Sequence, residues 1–346
     1  MNAKITHIQT ALPDNCLTQN DMLDIIRNHI APSDKAFRLY ERFLSDDGIL
    51  KRYFGWDDPA ALLNETVDEK MNRFRDVAVN LASNALEGAM KETGLKSQDI
   101  DGIFIATCTG YLCPGLTSYV TERLSLRNDI CVMDLVGQGC SGAIPALQAA
   151  SNYITSHPGT RVGVIAVEVC SAAIHWGELP ELILSNSIFG DGAAAMILTD
   201  DQGQRGLKIL QIASLLLPQY RDKLCFRYQD SRLCNVISPQ VPSIIAEGVK
   251  TLCDKLDNNG SITAYAFHAG GRKVLDRIQD TLRLPDTQMN ISRQILKDYG
   301  NMSSPSVLFA LKNVFNAREA QQDQHILAMT FGAGVSIYSL LLQYDA

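Results

Sequence analysis

Three residues stand where a side chain could do chemistry: Cys140 in VGQGCSGA, His268 in FHAGGRKVLD and Asn301 in YGNMSS. Cys140 follows an apolar run that ends on glycine, and small residues lead from it into an alanine-rich helical stretch. That places the thiol near a helix N-terminus, where the dipole and free N–H groups favour an anion. The flanking glycines let a substrate come close to the backbone. His268 ends an apolar strand ahead of Gly270 and Gly271, and Asn301 opens a small-residue turn into a helix. Singly, these read as a buried small hydrophobe, a core histidine and an N-cap. As a set they suggest more. A thiolate near neutral pH needs a cationic neighbour, which a histidine supplies. An asparagine amide and a histidine N–H can both point at a developing oxyanion. The expected chemistry is acyl transfer through a thioester.

The elements that position them come in alternation. Strand patterns occur at 3–12, 100–110, 129–139, 161–169 and 190–198, with the clearest amphipathic helix at 77–94, stopped by Gly94. The second half repeats the plan: 207–218 echoes 4–13, 262–271 echoes 100–110, 299–315 echoes the helix after Cys140, and 325–334 echoes 161–169. Thr107 to Cys140 and His268 to Asn301 are both separations of 33 positions. Alternating strands and helices with this self-similarity predict an α/β layered fold of two pseudo-symmetric halves sharing one packed body.

Composition narrows the function classes. The 346 residues are 46% hydrophobic and 20% charged, as in a globular protein, which excludes a disordered chain or a coiled coil. A net charge of −7 disfavours a nucleic-acid partner, which would call for a basic field. The N-terminal stretch is broken by polar residues and Pro13, so neither a secretion signal nor membrane insertion is expected. The nine cysteines are scattered without a C-x-x-C pair. They suggest neither a disulfide framework nor a metal site, and a reducing, cytoplasmic setting is expected.

GQGCSGA, SIFGDGAAAMIL, FHAGGRKVLD, YGNMSSPSVLF and TFGAG occur in that order across residues 100–340. They resemble the active-site blocks of the type III polyketide synthases, the chalcone-synthase-like enzymes of the thiolase superfamily. The resemblance is weaker over 14–75. It implies a thiolase-like αβαβα architecture with a five-stranded sheet in each half. Residues 1–205 would carry the cysteine, and 206–346 the histidine and asparagine. It further implies a homodimer acting on an acyl-CoA starter and malonyl-CoA, with CoA thioesters as substrates and no metal or redox cofactor. Cys140 would carry the starter and growing chain. His268 would stabilise the thiolate and, with Asn301, bind the thioester oxygen, while Phe189 would stand between the CoA tunnel and the cavity.

The departures are as informative. Asn235 stands where a second gatekeeping phenylalanine is usual, and Phe226 where a glycine would line the cavity. Cys108 and Cys113 replace a threonine and a methionine of the TTSG and MPG segments, and Ala333 follows Gly332 where proline is usual. All are expected to line or border the cavity, giving a differently shaped pocket for an aliphatic starter. By position, Lys51, Arg52, Arg272 and Lys273 are expected at a basic tunnel mouth for the CoA phosphates.

The nearest rival is a condensing enzyme of fatty-acid initiation, which would take its substrate from an acyl carrier protein. A relative making 3-hydroxy-3-methylglutaryl-CoA would need a carboxylic acid as general acid. Glu168 lies in a strand, and the sequence puts no acidic residue beside the Cys140 turn. A Cys-His-Asn hydrolase shares the residue types but shows no papain-like signature here. A non-catalytic binding protein of the same fold would have no reason to keep all three residues.

Overall fold

The structure, a computed structural model, describes residues 3–56, 65–201, 203–229, 232–256, 262–317 and 324–345. The first half runs β1 (Lys4–Ala11), β2 (Asn15–Thr18), α1 (Gln19–Ile25), α2 (Asp34–Leu44), β3 (Lys51–Phe54), α3 (Val67–Thr93), β4 (Gly102–Thr107) and α4 (Leu116–Arg123). It continues through β5 (Cys131–Val136), α5 (Ala143–Ser156), β6 (Val162–Glu168), α6 (Pro180–Ile188) and β7 (Gly192–Thr199). The second half runs β8 (Gly206–Leu216), β9 (Leu224–Gln229), β10 (Arg232–Ile237), α7 (Val241–Cys253), β11 (Ile262–Phe267) and α8 (Arg272–Leu282). It ends with α9 (Asp286–Tyr299), α10 (Ser306–Asn316), β12 (His325–Gly332) and β13 (Ser336–Asp345).

Nine strands join in the order β11-β12-β13-β8-β1-β7-β6-β4-β5. Outward from the centre, β8-β13-β12-β11 mirrors β1-β7-β6-β4, the repeat anticipated by the sequence echoes. The two half-sheets meet through the register pairs Lys4↔Lys208 and Ile5↔Leu207, with Ile209 N donating to the Ala3 carbonyl at 3.1 Å. The symmetry is incomplete. Where five strands are expected in each half, the described residues give five and four. The stretch that precedes Asn301 as β5 precedes Cys140 is the helix α9, whose buried Met289, Ser292, Ile295 and Leu296 follow a helical period.

β4, β6 and β7 are buried along their whole length, as strands covered on both faces must be. Between the half-sheets lie α5 and α10. Helix α5 packs on β4 and β6 but also on β13, and α10 packs on β11 and β12 but also on β1. Helix α3 covers the far side of β1, β6 and β7, and α7 covers β8 and β13, which completes the αβαβα order. The expected helix at 77–94 starts earlier, from a Thr66–Glu69 capping box, and stops at left-handed Gly94. One core runs through both halves, from Ile5 and Leu147 to Leu308 and Leu340. Among the described residues no helix is long and apolar enough to cross a membrane. All nine cysteines are free thiols.

Candidate active site

Between β5 and α5 the chain turns through Gly137 (φ 89°) and Gly139 (φ 56°), left-handed conformations that glycine adopts without steric cost. Cys140 sits on a short 3-10 turn, Gly139–Ser141, immediately ahead of α5, as the sequence suggests. The end of β12 clamps this turn from behind. Thr330 Oγ1 donates to the Cys140 carbonyl at 2.8 Å. A Cβ on Gly332 would stand 2.5 Å from Ser141 N and 2.9 Å from Cys140 N. Gly332 is therefore a close-approach point behind the turn, next to Ala333, and borders the cavity through the Cys140 turn rather than facing it.

Ser303 faces Cys140. Its Oγ lies 3.2 Å from Cys140 Sγ and 3.3 Å from Cys108 Sγ. Behind it, Glu168 Oε1 is 3.4 Å away. Glu168 ends β6, is wholly buried, and accepts from Cys108 N (2.9 Å), Thr109 N (3.1 Å), Thr109 Oγ1 (2.8 Å) and Ser304 Oγ (2.6 Å). Burial pushes its carboxyl above the ordinary value. The expectation of no acidic residue beside the Cys140 turn is thus corrected: a carboxyl group stands one hydroxyl away. The sequence did carry a signal, a lone acid ending the otherwise apolar strand VGVIAVE.

His268 follows β11, its N–H donating to the Met329 carbonyl at 2.9 Å and its carbonyl accepting from Gly270 N at 2.8 Å. Asn301 ties this turn to the Cys140 side. Its Nδ2 donates to the Gly270 carbonyl at 3.1 Å, and its Oδ1 accepts from Ser303 N at 2.8 Å. The three residues singled out from sequence therefore belong to one network, joined through Ser303 and Gly270. His268 is 1% exposed, its Nδ1 has no hydrogen-bond partner, and its ring meets Phe331 edge-on at 5.0 Å. Burial pushes its imidazole down to about 3 and the Cys140 thiol up to about 12. Desolvation disfavours the charged form of each group. A neutral imidazole still offers one N–H donor.

Cys108, Phe189, Phe226, Asn235 and Ala333 line one cavity together with Cys140 and Ser303. No Lys, Arg, Asp or Glu is among its described lining residues. Phe226 and Asn235 are register partners across the β9–β10 hairpin, so they share a face. Phe189 follows the last turn of α6 and bridges to Asn301. Cys113 departs from expectation: it is exposed, ahead of Pro114, and outside the described lining.

The four expected phosphate contacts divide. Arg52 is wholly buried and cannot reach a tunnel mouth. It donates to the carbonyls of Asn186 (2.8 Å) and Phe189 (2.7 Å) and to Gln19 Oε1 (3.0 Å), capping the C-terminal end of α6. Burial lowers its guanidinium to about 9, offset in part by Asp191. Arg272 is exposed but paired with Asp46 (2.7 Å) and Asp47 (3.0 Å). Lys273 is exposed, and Lys51 Nζ lies 5.9 Å from the Tyr53 ring centre.

A two-fold α/β body whose helix-opening cysteine turn is joined through Ser303 to an asparagine and on to a histidine turn fits an acyltransferase of the thiolase-like kind. Comparison with known proteins narrows this. Residues 10–216 match the pattern of the FAE1/type III polyketide synthase-like proteins, and residues 209–344 that of the chalcone and stilbene synthase C-terminal domain. The chain belongs to the type III polyketide synthase family. It is similar to a 3,5-dihydroxyphenylacetyl-CoA synthase of Streptomyces toyocaensis, 27% identical over 83% of this chain and 77% of the relative. It is also similar to an alpha-pyrone synthesis polyketide synthase-like protein of Mycobacterium tuberculosis, 28% identical over 80% of this chain and 73% of the relative. In fold it matches the 1,3,6,8-tetrahydroxynaphthalene synthase of Streptomyces coelicolor with a TM-score of 0.90, at 22% identity over 99% of each chain.

Proposed function

We propose that the enzyme loads an acyl group from an acyl-CoA starter onto Cys140, extends it by repeated decarboxylative condensation with malonyl-CoA, and cyclises the chain to a pyrone or phenolic product. In loading, the Cys140 sulfur bonds to the acyl carbon, and CoA leaves with the thiol proton as CoASH. Malonyl-CoA then loses CO2, and the electron pair of the broken bond becomes an enolate. That enolate attacks the Cys140 thioester and releases the sulfur. The His268 N–H and the Asn301 amide are the proposed donors to the enolate oxygen. Removing one such donor from a dry site typically costs about 100–1,000-fold in rate. The carbon–carbon bond takes its electrons from the departing carboxylate, so these steps call for no metal or redox cofactor.

The observation that supports this reading most is the network running from Cys140 through Ser303 and Asn301 to the His268 turn, beside an uncharged cavity. An uncharged wall narrowed by Phe189 and Phe226 favours an aliphatic starter. Nine free thiols suit a reducing compartment such as the cytoplasm. We further propose a homodimer. β5 is one of the two edge strands of the sheet, and its Val132, Met133 and Val136 are 49%, 43% and 44% exposed, apolar side chains that a second copy would cover.

The test is incubation of wild type and Cys140→Ala with labelled malonyl-CoA and a panel of acyl-CoAs, following CO2 release and product mass. Wild type should give extended products, and Cys140→Ala none while remaining folded by circular dichroism. Condensation by Cys140→Ala would overturn the assignment. Free acid without CO2 would point to hydrolysis, and product only from malonyl-loaded carrier protein would point to the carrier-dependent enzyme.

A further inference from the structure

A chain built from malonyl units carries a carbonyl at every second carbon, and a carbonyl oxygen accepts hydrogen bonds but donates none. The wall around it must therefore supply N–H or O–H groups. In this cavity the described side chains commit theirs elsewhere, with one exception. Thr109 Oγ1 donates to Glu168 Oε2 at 2.8 Å, and Ser185 Oγ donates to the Glu181 carbonyl at 2.9 Å. Asn186 Nδ2 donates to Tyr40 Oη at 3.1 Å and to the His175 carbonyl at 3.0 Å. The Ser303 hydroxyl lies 3.2 Å from Cys140 Sγ and 3.4 Å from Glu168 Oε1, so its proton is held inside the site. Asn235 is the exception. It lines the same cavity, half-buried, and its carboxamide has no hydrogen-bond partner among the described residues. The β9–β10 hairpin fixes where it stands: beside its register partner Phe226, on the face that Leu224 continues. Two N–H donors are thus presented to the cavity from an apolar stretch of wall.

We propose that Asn235 is a specificity-determining residue whose amide donates to a keto oxygen of the growing chain, so that the cavity takes oxo-acyl chains in preference to saturated chains of equal length. The apolar wall receives the hydrocarbon of the starter, and the amide receives what extension adds to it. A saturated chain that sets a CH2 against Asn235 strips the amide of water and returns no hydrogen bond, which costs binding. A site that offers a hydrogen bond rejects the analogue lacking the partner in just this way. One amide engages one carbonyl at a time, so the preference belongs to a particular distance from the thioester. This role rests on Cys140 carrying the acyl chain, as proposed above.

The experiment lets an oxo-acyl-CoA and the saturated acyl-CoA of equal length compete for Cys140 without malonyl-CoA, and ratios the two adducts on the Cys140 peptide by mass spectrometry. The pairs are 3-oxobutanoyl- with butanoyl-CoA, 5-oxohexanoyl- with hexanoyl-CoA, and 7-oxooctanoyl- with octanoyl-CoA, which walk one carbonyl away from the thioester. Wild type is compared with Asn235→Leu and Asn235→Gln, so intrinsic differences in thioester reactivity cancel. In at least one pair Asn235→Leu should lower the oxo-to-saturated ratio about tenfold, the size of one lost hydrogen bond. Asn235→Gln keeps the amide and should retain more of the wild-type ratio. Asn235→Ala carries the same expectation as the leucine variant should that one not fold. A wild-type ratio in Asn235→Leu at every carbonyl position would overturn the proposal. Equal losses in the leucine and glutamine variants would overturn it too, since they would reflect fit rather than hydrogen bonding. A wild type that forms its adduct elsewhere than Cys140, or forms none, would instead overturn the acyl-carrier reading beneath it.

Discussion

Burial without a charged partner is the condition His268 and Cys140 share. His268 is the sharpest case, since burial alone drives its imidazole to about 3, against 6.5 in the unfolded chain. The sign follows from linkage. Between those values the unfolded chain binds the extra proton, so stability is fully present above the unfolded value and falls as the pH drops through this window. One such proton is worth about 1.4 kcal/mol per pH unit. Glu168 and Asp191, whose carboxyls burial raises, act in the opposite sense, stabilising at low pH and losing that contribution as pH rises through their folded values. Comparing denaturant midpoints of wild type and His268→Gln along an acid pH series isolates the histidine. The wild-type curve should fall more steeply with acid, and parallel curves would contradict the buried neutral imidazole. Arg52 teaches the same lesson from the other side. A cation that sequence position assigns to a substrate phosphate is instead held by helix-end carbonyls behind Phe189.

At the scale of elements, the site depends on how closely strand ends pack against turns. The end of β12 meets the Cys140 turn so tightly that no side chain fits on Gly332. Gly332→Ala should cost about 1–3 kcal/mol by overpacking, and should lower condensation by displacing Cys140. Thermal melts and turnover of that variant check this, and a melt and rate equal to wild type would mean that β12 does not set the turn. The β9–β10 hairpin plays a different part, presenting Phe226 and Asn235 to the cavity from one face. Phe226→Ala should let longer acyl-CoA starters be extended, read as a shift in product mass across an acyl-CoA series. An unchanged starter range would remove Phe226 from the specificity determinants.

For the whole molecule, two half-sheets share the α5 and α10 layer, which gives an internal two-fold with β5 left at one edge. An apolar edge strand is an invitation to pairing. Val132→Arg should therefore convert a dimer to monomers, as followed by size-exclusion chromatography with light scattering. A wild type already monomeric, or a variant still dimeric, would rule out β5 as the seam.

Much of the fold is legible in the sequence. The spacing of apolar residues gave β4, β6 and β12, the Gly94 stop of α3 and the echo between halves, because burial on both faces forces continuous apolar strands. The five ordered blocks carried the family and, with it, Cys140, His268 and Asn301. Local pattern failed where a residue's role depends on what packs against it. Glu168 and Ser303 lie 28 and 163 positions from Cys140, and no local periodicity joins them. Arg52 and Arg272 are both basic residues in the chain, yet one is buried behind Phe189 and the other is paired with surface aspartates. Residue types determine which chemistry is available and which segments must be strands. Only folding decides which charges lose their water and which hydroxyl meets which sulfur, since desolvation and hydrogen-bond geometry are properties of neighbours brought together across the chain.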